Sequence, residues 1–221
     1  KNHNFVVSKN HFTMDYSTLE REMVVGDVDY RALMKGRIRN VLLVCNSYDG
    51  FSLEEDGRIE SQINQEYSGL NLNNPLMIAR AESTEEAMEL LNGKTEFDLV
   101  ITMYNVGELD PITFSRKVKD KFPNLPVVLL FSYSHAVRRR LAEQDTSSID
   151  YIFCWQGSAD LILAIVKLIE DKMNAEHDIL EVGVQAIMLV EDSVRYYSTY
   201  LPTIYKLIIQ HTSSSDEALN E

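Results

Sequence analysis

The chain has 221 residues, is 45% apolar and 25% charged, and carries a formal net charge of −13 at pH 7. That composition is normal for a globular protein with a core of useful size, and the acidity sets the surface against nucleic acid and anionic membrane, which share its sign. No apolar run reaches the ~20 residues of a membrane span and no leader pattern opens the chain, so a cytoplasmic protein with neither nucleic-acid nor membrane partners is expected. Its two cysteines, Cys45 and Cys154, fit a reducing compartment. The opening Lys1 and the ragged end around Ser213–Ser215 lead us to expect a piece of something longer.

Residues 1–39 are polar and mixed, and read as an N-terminal arm. Asp27 and Gly36 bracket a short predicted helix, Val28–Arg37. From Asn40 the pattern becomes regular. Val41–Cys45 (VLLVC) is a short continuous apolar run, the mark of a strand buried on both faces. Leu53–Tyr67 is a predicted helix with Glu54, Glu55 and Asp56 in its first turn, where they suit the positive end of the helix dipole. Leu76–Arg80 is the second strand. Thr84–Asn92 is a helix capped by Ser83 or Thr84, with Gly93 just past its end. Phe97–Thr102 is the third strand, and Asp110–Pro111 opens a helix running to about Phe122. Pro126–Phe131, Ser134–Gln144, Ile149–Cys154 and Ala159–Asn174 complete the alternation as strand, helix, strand, helix.

Five strands alternating with five helices predict an α/β three-layer sandwich: a parallel sheet with helices on both faces. After a linker at 176–185 comes Ala186–Val190, another apolar run. Glu191–Asp192–Ser193 and an aromatic-rich helical stretch to about His211 follow. Pro202 is expected to split that stretch into pieces near 193–200 and 203–210, because an interior proline costs ~3 kcal/mol.

Over residues 40–175 these units resemble the response-regulator receiver family. The phrases FDLVI (Phe97–Ile101), LPVVL (Leu125–Leu129) and IDYI (Ile149–Ile152) carry the likeness together with their order and spacing. The resemblance implies a flavodoxin-like sheet of order 2-1-3-4-5, with the site at the carboxyl ends of the strands. It also implies an acid pair after strand one for Mg²⁺, a phosphoryl-accepting aspartate ending strand three, a Thr or Ser ending strand four and a Lys after strand five. This chain departs from that pattern at each place. Asn46, Ser47 and Tyr48 follow strand one. Met103 stands five positions beyond Asp98, where the acceptor belongs. Phe131 takes the hydroxyl position with Ser132 one step later, and Cys154–Trp155 replaces the Lys–Pro pair. A thioether offers no oxygen nucleophile, and Mg²⁺ wants oxygen ligands with one or two carboxylates. The expectation is a degenerate pocket, with no catalytic residue, cofactor or metal, in a pseudo-receiver that works as a non-enzymatic regulatory module. Asp98 lies at the wrong end of its strand, and Asp49 reads as a turn residue beside Gly50.

Glu191–Asp192 looks like the acid pair of a second, truncated receiver beginning at 186–221, whose own acceptor lies outside these residues; alternatively Asp192 or Ser193 caps the helix that follows. The phrases LEEDGRIESQINQEY, IDYIFCW, ADLILAIVKLIEDKM and VEDSVRYYSTYLP are similar to the amino-terminal region of bacterial phosphoenolpyruvate-synthase-like proteins. That resemblance implies a regulatory region ahead of a pyruvate/phosphoenolpyruvate-binding kinase part.

Cys45 and Cys154 end strands one and five, about 14 Å apart across the intervening strands, too far for a disulfide. The fifth helix carries more apolar residues than one stripe needs. Its second side calls for cover by residues 186–211 or by a second copy, which the resemblance to receivers implies would dock on the face of the fourth helix, fifth strand and fifth helix. Arg138–Arg140 reads as a solvated face or a contact for a phosphate or an acidic partner. Tyr196, Tyr197, Tyr200 and Tyr205 read as core or interface. His3, His11, His135, His177 and His211 lack metal-ligand spacing.

Overall fold

A computed structural model describes residues 3–6, 35–47, 76–106 and 108–218. The predicted helix 53–67, most of the one at 28–37, and Tyr48, Asp49 and Gly50 lie outside these residues.

The described elements in chain order are β1 (His3–Val6), β2 (Asn40–Val44), β3 (Met77–Ala81), α1 (Thr84–Leu91), β4 (Leu99–Met103) and α2 (Pro111–Lys121). They continue with β5 (Val127–Ser132), α3 (His135–Glu143), β6 (Tyr151–Trp155), α4 (Ala159–Leu180), β7 (Gln185–Met188) and α5 (Val194–Ala218). Five strands form one sheet in the order β3-β2-β4-β5-β6, all parallel. Counted from β2 this is 2-1-3-4-5, the flavodoxin-like order. Its central strands are almost wholly apolar because helices cover both faces: every residue of β4 is buried, as are Val127–Phe131 of β5.

Local chemistry fixes the helix starts. Ser83 accepts a hydrogen bond from the Glu86 N–H at the head of α1. Asp110 accepts from the N–H groups of Ile112 and Thr113 at the head of α2, where Pro111 takes the first helical position. At the amino end of the sheet Asp98 binds the N–H groups of Arg39 and Asn40 at 2.8 and 2.9 Å. Asp150 binds the Val127 N–H at 2.8 Å and the Lys119 ammonium at 2.7 Å. The two acids of the FD and ID phrases therefore tie strand starts together, far from the carboxyl ends.

Helix α4 is longer than predicted. It continues through 175–180, so the first half of the expected linker is helical. The cause is a polar stripe. Lys167, Glu170, Asp171, Asn174 and Asp178 are all buried, recurring at three- and four-residue steps on one side. Asn174 accepts from the Gly36 N–H at 2.7 Å and donates to the Gly36 carbonyl at 2.8 Å. Glu170 accepts from the Ile38 N–H at 3.0 Å and faces the Lys167 ammonium at 2.9 Å. Residues 35–39 thus lie against α4 as non-helical chain, and Lys35–Arg37 is not part of a helix.

Helix α5 is likewise unbroken, with Pro202 inside it. One backbone hydrogen bond is lost at a proline, but Tyr197, Leu201 and Tyr205 recur every four residues and are all buried. Their burial outweighs the break. This helix packs on β6 and α4, so cover within the chain meets the need foreseen for the second side of α4, on part of the face expected to serve self-association. Phe153 stacks on Tyr197 at 5.2 Å. Tyr205 donates to Asp171 at 2.6 Å. The backbone N–H of Cys154, on the edge strand, donates to Ser198 Oγ at 2.8 Å. Ser198→Ala would remove the acceptor of that buried N–H. We expect a loss of about 1–3 kcal/mol in urea unfolding, with the fold retained.

Strand β7 stays out of the main sheet and pairs in parallel with β1 in a separate two-stranded sheet. β1 in turn packs on α4.

Three tyrosines hold their protons tightly. Burial pushes Tyr151 up to about 12, with the Asp150 charge adding to it. Burial also raises Tyr197 and Tyr205, and Asp171 opposes the phenolate of Tyr205. A raised folded value contributes stability below the unfolded tyrosine pKa, near 10, and that stability is lost as pH rises beyond it. The fold is therefore expected to weaken between about pH 10 and 12, with these phenols ionising together with unfolding in a spectrophotometric titration.

Candidate functional site

The register of the sheet brings the carboxyl-terminal positions to one edge. Val44 is level with Thr102, Met103 with Leu130, Phe131 with Cys154 and Ser132 with Trp155. Side chains alternate between faces along a strand, so these positions do not all look into one space. Met103, 5% exposed, lies in the main core with Val44 and Ile101. Phe131, 3% exposed, turns to the other cluster, with Ile112, Leu129, Leu141 and Ile149. Ser132 is exposed, Asn46 and Trp155 are half-buried, and Cys154 is buried. No acid stands among these six. Asp110, the acid that follows Met103 after Glu108, is committed to capping α2. Partial burial works against its charge, but hydrogen bonds from Thr113 and Ile112 bring its carboxyl below the usual range. Among the described residues no cluster of His, Cys, Asp or Glu is arranged to hold a metal ion.

One concavity opens at this edge, where β6 ends against α5. The sheet side supplies Tyr133, Cys154, Trp155 and Gln156, and the helix side supplies Arg195, Tyr196 and Tyr200; its volume is about 610 Å³. Gly157, at φ +78°, adopts the left-handed backbone that turns the chain from β6 towards Ser158, the N-cap of α4. The Gln156 amide donates to Thr199 Oγ1 at 3.0 Å, and with the Cys154–Ser198 bond this ties strand end to helix. The Arg195 guanidinium lies 5.2 Å above the Tyr133 ring, whose other neighbour is the His135 ring, edge-on at 5.6 Å. Tyr196 and Tyr200 stack at 6.0 Å. Burial raises the Cys154 thiol, more than the Tyr133 backbone and Arg195 lower it, so Cys154 is a packed thiol and not a thiolate. Both cysteines are free and buried.

The chain is similar to response-regulator receiver domains. A receiver domain from Clostridium thermocellum is 14% identical, covers 62% of this chain and 98% of its own, and superposes with a TM-score of 0.45. The Thermotoga maritima response regulator TrrA, solved with Mg²⁺ and BeF, gives 21%, 59%, 97% and 0.43 for the same quantities. The receiver domain of the Francisella response regulator 1452 gives 17%, 62%, 99% and 0.43. No protein-family model and no curated protein matches the chain, and the likeness to phosphoenolpyruvate-synthase-like proteins finds no support in these comparisons. The strand order and register within the chain are what establish the fold.

Of the remaining candidates, Arg139 pairs with Glu143 on the exposed side of α3, while Arg138 and Arg140 are exposed. Tyr197 and Tyr205 are core, whereas Tyr196 and Tyr200 face solvent. Glu191 accepts from the Ser193 N–H at 2.9 Å, just ahead of α5, and Asp192 is exposed. Two features have no simple signature in the sequence: the buried polar stripe of α4 and the cleft at β6. Only the clustering of tyrosines after Arg195 hinted at the second.

Proposed function

We propose that residues 40–175 form a receiver-like regulatory module in signal transduction that works by docking to protein and carries no phosphoryl group. The observation that supports this reading most is Met103, a buried thioether at the end of β4, where the receiver pattern calls for an aspartate. Around it, Asn46, Phe131 and Cys154–Trp155 supply neither the carboxylates that Mg²⁺ requires nor the ammonium that would face a phosphoryl group. On this reading the module is not an enzyme and acts in the cytoplasm. No helix among the described residues is long and apolar enough to cross a membrane. Beryllofluoride mimics the phosphoryl group and needs the same acids and Mg²⁺. Adding both to the isotope-labelled protein is expected to leave the amide resonances of Met103, Ser132 and Trp155 in place; a saturable shift of all three counts against the reading.

A second reading concerns residues 186–221, as the opening strand and helix of a further receiver. It is favoured by β7, which stays out of the five-stranded sheet and is followed, after Leu189 and Val190, by Glu191–Asp192. Under this reading a longer chain becomes phosphorylated on an aspartate beyond residue 221, and mapping the phosphorylated residue decides it. A regulatory role ahead of a phosphoenolpyruvate-utilising enzyme rests on the sequence phrases alone.

A further inference from the structure

The cleft between β6 and α5 differs in chemistry from the rest of this acidic chain. Its walls are aromatic, its volume of about 610 Å³ falls within the range of small-molecule sites, and no Asp or Glu lines it. Its single charge is Arg195, which among the described residues is in no ion pair. A guanidinium stacked on a ring has one face occupied and its N–H edge free, and that edge matches the paired oxygens of a carboxylate or phosphate. Thr199 and Gln156 already bond to one another, so they compete little for a ligand. Cys154, kept as a thiol by burial, brings no opposing charge. The lining is also held in place from both sides, by the Cys154–Ser198 bond and by the Tyr196–Tyr200 stack.

The geometry points to a ligand site in this cleft for a planar aromatic anion, with its ring against Trp155 and Tyr200 and its negative group on the N–H edge of Arg195. The site stands independently of whether residues 40–175 are phosphorylated, since it uses neither Met103 nor Asn46.

Trp155 is the only tryptophan in the chain, so its fluorescence reports the cleft alone. The full chain is titrated with adenosine monophosphate as the probe of ring plus charge, with adenosine as ring alone and inorganic phosphate as charge alone. Adenosine monophosphate is expected to quench Trp155 saturably, with half-saturation in the millimolar range or below. Adenosine and phosphate should each bind at least about tenfold more weakly, because each forfeits one of the two contacts. Arg195 is exposed, so Arg195→Ala should keep the fold, which circular dichroism verifies, and weaken the nucleotide about tenfold or more. Arg195→Lys should fall between the two, having the charge without the fork. No saturable quenching by the nucleotide, equal binding of phosphate or adenosine, or unchanged binding by Arg195→Ala would each overturn the proposal.

Discussion

Replacing Glu170 by alanine is expected to lower stability by about 3–5 kcal/mol, one of the two largest effects of a single substitution predicted for this chain. Glu170 is wholly buried. Among the described residues its two oxygens meet the Lys167 ammonium at 2.9 Å, the Arg37 guanidinium at 3.8 Å and the Ile38 N–H at 3.0 Å. Removing a carboxylate from such a place takes away the charge that two cations face, in surroundings where water cannot replace it. It also releases residues 36–38 from α4. Glu170→Gln should fall between wild type and Glu170→Ala, because its carbonyl still accepts from Ile38 but its charge is gone. The double variant Lys167→Met, Glu170→Met should recover only part of the loss, since it removes the Lys167 charge but still takes the carboxylate from Arg37 and the Ile38 N–H. Urea midpoints measure all three. A loss below about 1 kcal/mol for Glu170→Ala would mean that the pair behaves like a solvated one.

Met103→Asp places the missing phosphoryl acceptor back in the receiver pattern, and it is expected to harm the protein without restoring chemistry. The side chain at this position is buried among Val44, Ile101 and the rest of the main core. A carboxyl group there is desolvated, so its folded pKa rises above the unfolded value. The protonated form is tolerated, while the charged form costs about 3 kcal/mol or more at pH 7. A raised folded value means the penalty is small below the ordinary carboxylate pKa and grows as pH rises through the folded one. Relative to wild type, the variant should therefore be closer in stability near pH 4 than at pH 7. It should also stay unphosphorylated, because Asn46 and Ser47 provide no carboxylate for Mg²⁺. A variant as stable as wild type at pH 7 would show that position 103 reaches solvent or a counter-ion.

The sheet was readable in the sequence because its chemistry is local. A strand buried on both faces must be nearly all apolar, and VLLVC, the LVI of FDLVIT and VVLLF are apolar without interruption. The structure keeps all five strands, with bounds moved by one or two residues, and the caps at Ser83 and Asp110 hold as foreseen. The features that escaped depend on distant partners. Glu170 and Asn174 look like a solvated face until Gly36, Arg37 and Ile38 are laid against them, more than a hundred positions away in sequence. Pro202 looks like a break until Tyr197, Leu201 and Tyr205 are seen buried on one side of the helix. For the site, residue identities were legible but their grouping was not. Met103 and Phe131 lie near one edge of the sheet yet enter different apolar clusters, while Cys154 and Trp155 meet Arg195 and Tyr200 from α5, some forty residues later.

The function proposed for residues 40–175 is that of a receiver-like module without phosphoryl chemistry. Incubation of the purified chain with Mg²⁺ and acetyl phosphate, followed by intact mass measurement and peptide mapping, tests it most directly. The mass over residues 40–175 is expected to stay unchanged. A hydroxylamine-labile gain of one phosphoryl group on an aspartate within those residues would contradict it.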